Sequence, residues 1–145
     1  MIREDFIHRL IRQFAEMMAR AAGFRRRGDY DAALRATAEG WELLGVPREL
    51  VEVLDTRTLA GLLGDPAKIR AAAQLLGEEA RVLTGKRDPI TAAVVSRRAL
   101  ELYVAARALE PTEDDDAAIL ELSRLVPADQ ITPAREITGE HDDAA

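Results

Sequence analysis

The densest group of chemically capable side chains is the acidic run from Glu113 to Asp116. Four consecutive carboxylates could attract a divalent cation, but the run lacks the alternate spacing, the glycine and the distal glutamate of an EF-hand loop. Because Pro111 and Thr112 precede it, the run suits the first turn of a helix, whose positive end favours acids. The sequence therefore predicts a charged helix start here and no metal site.

Histidine, serine and cysteine are too few to predict a catalytic centre. The histidines are His8 and His141, the serines are Ser96 and Ser123, and the chain has no cysteine. A zinc site would need carboxylates for most of its ligands, and both serines fall in predicted helices without a nearby histidine. We therefore predict no catalytic residue and no metal.

Two basic segments could contact phosphate groups. Gly85-Lys86-Arg87 lacks the glycine spacing and the Ser/Thr of a phosphate-binding loop. The run Arg25 to Arg27 could contact nucleic acid or lipid headgroups, but the chain has a net charge of −6 and no platform of alternating aromatic and basic residues accompanies the run. A favourable charge at a helix C-terminus explains it. No cofactor and no nucleic-acid partner are predicted.

One hypothesis with chemistry remains open, an enzyme or small-ligand binder whose pocket is assembled from residues far apart in sequence. An interior cavity lined by several charged residues of the central helices would favour it. Those residues are Arg35, Arg70, Arg97, Glu101 and Arg107.

The element that must position all of these side chains is a helical hairpin centred on Gly28. Before it, apolar residues from Ile7 to Phe24 recur at steps of three and four and share one helix face. Gly28 permits the left-handed conformation that ends a helix, and one of the two aspartates after it can cap the next helix. The predicted helices run from Arg3 to Arg27 and from Tyr30 to Leu44.

Further start signals predict helices along the rest of the chain. Pro47 opens a short helix in which Leu50, Val53 and Leu54 are predicted to face inward, and another short helix follows. The last three helices are predicted to begin at Asp65-Pro66, at Asp88-Pro89 and at the acidic run. Leu109 is predicted to lie on the inner face of the helix that begins at Asp88-Pro89. No stretch alternates with period two. The predicted fold class is all-α, with about six to seven helices in one compact array and no sheet.

The sequence Gly-Asp-Tyr-Asp-x-Ala-Leu, which begins at Gly28, resembles the turn and second-helix start of a tetratricopeptide (TPR) repeat. A second, partial match covers Ala99, Tyr103, Ala106 and Pro111. The resemblance implies antiparallel helical hairpins with protein or peptide ligands. The residues that define the hairpin by this resemblance are Ala21, Phe24, Gly28, Tyr30, Ala33 and Gly40. The order of the predicted helices from Met1 to about Val126 also resembles that of a family of uncharacterised bacterial proteins. This resemblance implies a fold and no activity.

The amino-acid composition limits the class of protein to which this chain can belong. Hydrophobic residues make up 48% of the 145 residues, which excludes wholesale disorder and suits one domain over residues 1–126. Residues 127–145 are predicted to be a flexible acidic tail. No apolar run is long enough to span a membrane, and charged residues interrupt any signal-peptide core near the N-terminus. With cysteine absent, we expect a cytoplasmic protein.

The first predicted helix extends beyond the hairpin and is amphipathic. Its apolar residues could be buried by the other helices, or could contact a partner, with a homodimer as the main hypothesis. The candidate interface consists of Ile2, Phe6, Ile7, Leu10, Ile11 and Phe14. The predicted function is a non-enzymatic protein–protein interaction module, a scaffold or adaptor. The alternative is a regulator that lies on a membrane surface through this arginine-rich helix.

Overall fold

The computed structural model describes residues 2–126, with side chains from Glu4 onward, and this part of the chain contains seven α-helices and no strand. The prediction of an all-α fold is confirmed. The predicted tail, residues 127–145, lies outside the described residues. The helices are α1 (Ile2–Arg26), α2 (Tyr30–Leu44), α3 (Arg48–Val53), α4 (Thr56–Leu63), α5 (Pro66–Gly85), α6 (Pro89–Leu109) and α7 (Asp115–Ser123).

Helices α1 and α2 form the predicted antiparallel hairpin, and its turn is at Gly28. Gly28 has a φ of 80°, the left-handed conformation that ends α1. Asp29 then caps α2, because its side chain accepts a hydrogen bond from the Ala32 N–H at 3.2 Å. At the other end of α2, Gly45 has a φ of 75°, and its N–H donates to carbonyls of the last turn. Local turn chemistry thus sets both ends of α2.

Small residues let α1, α2 and α5 approach one another closely. Ala21 and Ala33, predicted to lie at the hairpin contact, are fully buried. Gly40 faces both neighbouring helices: a Cβ atom there would lie 2.6 Å from Met17 Cε and 2.9 Å from both Leu75 methyl carbons. No side chain fits at position 40 without displacing the core, so the small residue sets the spacing of the three helices.

The two aromatic residues predicted to define the hairpin lie near its turn. Phe24 is half-buried, and the Arg27 guanidinium lies 5.2 Å from its ring centroid. Tyr30 packs against the end of α5, where a Cβ atom on Gly85 would lie 2.6 Å from its ring. Tyr30 therefore joins the start of α2 to the C-terminal end of α5.

Helix α5 is the centre of the fold, because it contacts α1, α2, α4 and α6. It begins at the predicted signal: Asp65 accepts a hydrogen bond from the Ala67 N–H at 2.8 Å, and Pro66 occupies the first turn. Asp88 caps α6 in the same way. Most of α5 is buried on more than one face, as its inward residues include Ile69, Ala72, Ala73, Leu75, Leu76, Ala80 and Val82.

One arginine of the basic run forms an ion pair with a buried carboxylate. Arg25 Nε donates to the carboxylate of Glu78, a residue of α5 that is only 2% exposed, and Arg81 approaches the same carboxylate at 3.7 Å. Arg26 and Arg27 stay exposed. The run therefore contributes one ion pair between α1 and α5 in addition to its favourable position at a helix C-terminus.

For some residues, the prediction that the side chain faces inward was wrong. In α3, Leu50 and Val53 are exposed, and Val51 is the buried residue. A helix of six residues has fewer than two turns, so its sequence pattern does not determine which side packs. The orientation of α3 is instead fixed by Arg98, which donates to carbonyls at its C-terminal end. Leu109, the last residue of α6, is also exposed, although Ala106 of the same turn is fully buried.

The turn between α5 and α6 contains the one non-glycine residue with positive φ among the described residues, Arg87 at 65°. A residue with a Cβ is strained in this region, so we expect Arg87→Gly to raise the free energy of unfolding by about 1 kcal/mol. Lys86→Gly, at a φ of −79°, is the control and should lower it slightly. Urea denaturation measures both; an Arg87→Gly variant no more stable than the parent would contradict the expectation.

Candidate functional site

An open groove is bordered by α2, α3, α5 and α6. It consists of two adjoining hollows of about 720 and 660 Å³, which share Leu34, Arg48, Glu52 and Glu79. The turn at Gly45 directs the chain away from α2, so that α3 forms one border. We call this surface the α2–α6 groove.

A polar cluster forms the floor where the two hollows meet. Glu79 is 8% exposed, and its carboxylate accepts hydrogen bonds from Trp41 Nε1 at 2.7 Å and from Arg48 Nη2 at 3.0 Å. The Arg48 guanidinium also lies 5.7 Å from the Trp41 ring centroid. Because each of these groups is paired, the cluster fixes the indole and guanidinium planes and presents a rigid floor.

The wall on α6 carries three charged side chains with different roles. Arg98 donates to the carbonyls of Val51 at 3.1 Å and Leu54 at 2.6 Å, which fastens α3. Glu101 accepts from the Thr56 hydroxyl at 2.6 Å, which fastens the start of α4. Both residues thus position the borders of the groove.

Arg97 is the third charged residue of this wall, and it is the least engaged. Its Nε atom is buried and has no hydrogen-bond partner among the described residues; the nearest carboxylate, that of Glu101, lies 3.7 Å away. The side chain is 41% exposed, and Val94, one turn earlier, is 61% exposed. The buried Nε cannot reach a ligand, but the exposed part of the guanidinium, beside an exposed valine, can bind a carboxylate attached to an apolar group.

The five charged residues proposed for an enzyme pocket do not come together as a group. Arg97 and Glu101 line the α2–α6 groove, while Arg35 is exposed on α2. Arg107 pairs with Asp116 on the surface, and Arg70 forms a buried ion pair elsewhere. The groove therefore contains two of the five, and they are separated by 3.7 Å.

The predicted contact residues of α1 divide into two groups. Leu10 and Phe14 are buried, at 7% and 4% exposed, and thus belong to the interior of this chain. Phe6 and Ile11 are about half exposed, and Ile7 is half-buried. Ile2 begins α1, and its side chain is not among those described.

An apolar hollow of about 470 Å³ lies between the first half of α1 and the start of α5. We call it the α1–α5 trough. Its α1 side includes Ile7 and Ile11, and its α5 side includes Ala67, Lys68 and Ala71. The trough and the α2–α6 groove share no lining residue, so they are separate surfaces.

The ion pair that attaches α7 was missed by the sequence reasoning. Asp115 is 2% exposed, and its carboxylate accepts from Arg70 Nε at 2.8 Å and Nη2 at 2.9 Å, and from the Thr112 N–H at 2.8 Å. The Thr-x-x-Asp spacing of a capping box could have predicted the last contact. Arg70, 45 residues away in sequence, could not have been predicted.

Two titrating groups near α7 have clearly shifted pKa values. The hydrogen bonds from Arg70, with that from the Thr112 N–H, hold the pKa of Asp115 well below its usual range despite burial. Burial raises the pKa of Tyr103 to about 12. Asp115 is therefore ionised and Tyr103 neutral at physiological pH, and both act as fixed structural groups.

Within the described part of the chain, no group of three or more His, Cys, Asp or Glu side chains could hold a metal ion. None of the helices between residues 2 and 126 combines the length and apolar character that crossing a bilayer requires.

No family model matches the sequence, and no curated protein or solved structure is significantly similar to it. The class of protein is therefore defined by the fold alone, a seven-helix array of residues 2–126 with an open groove along α2, α3, α5 and α6.

Proposed function

We propose that this protein is a non-enzymatic, cytoplasmic protein–protein interaction module that binds a peptide segment of its partner in the α2–α6 groove. The observation that carries the proposal is the wall of α6, where the partly exposed guanidinium of Arg97, held only by a 3.7 Å ion pair to Glu101, lies beside the exposed Val94. The resemblance of the hairpin to a TPR repeat supports the same interpretation, since stacked helical hairpins form extended binding surfaces.

The lining of the groove defines the chemistry of the ligand. Leu34, Leu83 and Val94 offer apolar contacts along its length, and Arg97 offers a charge-assisted hydrogen bond to a carboxylate. The carboxylate of Glu79 already has its donors. A peptide with an acidic residue next to large apolar residues matches this lining best.

The rival hypothesis of a membrane-surface regulator has one supporting observation. Phe6 and Ile11 are exposed on α1, and Arg9 and Arg12 accompany them. Glu4 and Asp5 in the first turn oppose binding to an anionic surface. We therefore keep the groove as the primary functional surface.

A matched pair of valine substitutions on α6 tests the proposal. Binders are selected from a displayed library of random dodecapeptides, and their affinities are measured by fluorescence anisotropy. Val94→Glu places an acid in the groove, so we expect binding at least tenfold weaker, about 1.4 kcal/mol, because of repulsion and lost apolar contact. Val104 is equally apolar and 56% exposed, but lies outside the groove, so Val104→Glu should leave binding unchanged.

A charge test on the same peptides completes the experiment. Arg97→Gln should weaken the binding of peptides that carry an acidic residue. It should leave almost unchanged the binding of matched peptides in which that acidic residue is replaced by glutamine. If the library yields no binder, or if binders tolerate Val94→Glu as well as Val104→Glu, the groove is not the binding surface and the proposal is overturned.

A further inference from the structure

The N-terminal part of α1 extends beyond its hairpin partner. Helix α1 has 25 residues and α2 has 15, so at about 1.5 Å per residue α1 is about 15 Å longer. Because the hairpin closes at Gly28, the excess lies at the N-terminal end of α1. This overhang carries the α1 side of the α1–α5 trough.

The trough presents a continuous apolar stripe of α1 beside the start of α5. Ile7, Ile11 and Ala15 recur every four residues and therefore share one helix face. Ile11 is 47% exposed and Ala15 is also exposed, so the stripe is not filled by this chain. A hollow between two helices with such a stripe fits the apolar face of a third helix.

One acid and one base near the trough have no ion-pair partner in the described part of the chain. Glu4 lies three residues before Ile7 and on the same face of α1, and its exposed carboxylate has no ion-pair partner among the described residues. Lys68, in the α5 wall, likewise forms no ion pair within residues 4–126. The same short region thus carries an acid on the docking face and a base in the receiving wall.

We propose that the trough binds α1 of a second copy of this chain, packed antiparallel to the first. Antiparallel packing places the Ile7 and Ile11 stripe of one copy in the trough of the other and brings its Glu4 toward Lys68. A two-fold axis repeats both contacts, so each copy fills the trough of its partner in an isologous interface. This dimer surface is separate from the α2–α6 groove, and either proposal can fail without the other.

Other occupants fit the trough less well. The chain's own C-terminal segment, residues 127–145, contains only two large apolar residues, Ile131 and Ile137. An anionic lipid surface would meet the acids of the first turn of α1, Glu4 and Asp5. A second copy supplies both an apolar stripe and the matching charge.

Light scattering on the full-length protein tests the dimer. At tens of micromolar we expect twice the chain mass of 15.9 kDa, and Ile11→Glu should raise the dissociation constant at least tenfold. Leu62→Glu is the matched control, since Leu62 is 54% exposed on α4 and lies outside the trough. Circular dichroism establishes that each variant is folded. A monomeric parent protein, or a dimer unaffected by Ile11→Glu, overturns the proposal.

Charge reversal and cross-linking identify the occupant. Glu4→Lys and Lys68→Glu should each weaken the dimer, and the double variant should recover it. Carbodiimide cross-linking of a mixed ¹⁴N and ¹⁵N sample should join Lys68 to Glu4 between copies. A link from Lys68 to an acid of residues 127–145 within one copy assigns the trough to that segment, and a monomer that co-sediments with phosphatidylglycerol vesicles assigns it to lipid. Either result overturns the proposal.

Discussion

Replacing Asp115 with asparagine is expected to lower the free energy of unfolding by about 3 kcal/mol. The change keeps the shape of the side chain but removes the charge that faces Arg70, whose guanidinium is only 13% exposed. Arg70 would then be a largely buried cation without its counter-ion, and α7 would lose its main polar attachment to α5. Chemical denaturation followed by circular dichroism measures the loss.

Asp116→Asn is the natural control for this experiment. Asp116 is the next residue and also forms an ion pair, with Arg107 at 2.8 Å, but its side chain is 80% exposed. Exposed pairs contribute little because water screens them. A result in which the two variants lose equal stability would show that burial does not decide the effect, and would contradict the prediction.

The pH dependence of stability gives an independent check on Asp115. Its pKa in the folded protein is held far below the ordinary value by Arg70, so the ionised form stabilises the fold. This stabilisation is fully present above the unfolded pKa near 4, and is lost as pH falls through the lower, folded pKa. Between pH 7 and pH 3 the parent should therefore lose more stability than Asp115→Asn.

Gly40→Ala is expected to lower the free energy of unfolding by about 2 kcal/mol. The added methyl group would lie within 3 Å of Met17 Cε and of both Leu75 methyl carbons, in the fully buried contact of α1, α2 and α5. Met17 can rotate, but Leu75 is enclosed, so the helices must separate. Alanine favours a helix by up to about 1 kcal/mol over glycine, and the crowding must exceed that gain.

The same substitution in another helix should have the opposite sign. Gly61 lies inside α4, is exposed, and has no atom within 4 Å of the position a Cβ would take. Gly61→Ala should therefore stabilise the protein by about 0.5–1 kcal/mol. Thermal and urea unfolding of both variants measure the difference; a stabilised Gly40→Ala variant would mean that α1 and α2 do not meet at Gly40.

The two proposed surfaces use different parts of the same scaffold. The α2–α6 groove is built on residues fixed by hydrogen bonds, such as Glu79 and Arg98, which is how a preformed binding site is held. The α1–α5 trough is built from apolar residues on a helix that extends past its hairpin. A dimer through the trough would leave both grooves open and so present two peptide sites.

Helix boundaries were predictable because they depend on neighbours in the chain. Glycines 28 and 45 end helices, and Asp65 and Asp88 begin them, through contacts within four residues. The resemblance of the turn to a TPR repeat predicted that Ala33 and Gly40 lie where the two helices approach; Ala33 is buried, and a Cβ atom at Gly40 would meet Met17 of α1. Short helices were the exception: α3 is too short for periodicity to identify its buried side, and Leu50 and Val53 were misplaced for that reason.

The groove and the ion pair that attaches α7, in contrast, were decided by the tertiary structure. Glu79 and Trp41 are 38 residues apart in sequence, and Arg70 and Asp115 are 45 apart, so no local spacing relates them. Their meeting depends on the distances and angles at which α2, α5, α6 and α7 pack, and these follow from side-chain volumes summed over whole interfaces. The sequence by itself determined where each helix begins and ends, whereas close packing determined which charges face one another, because ion pairs need side chains placed to within an ångström or so.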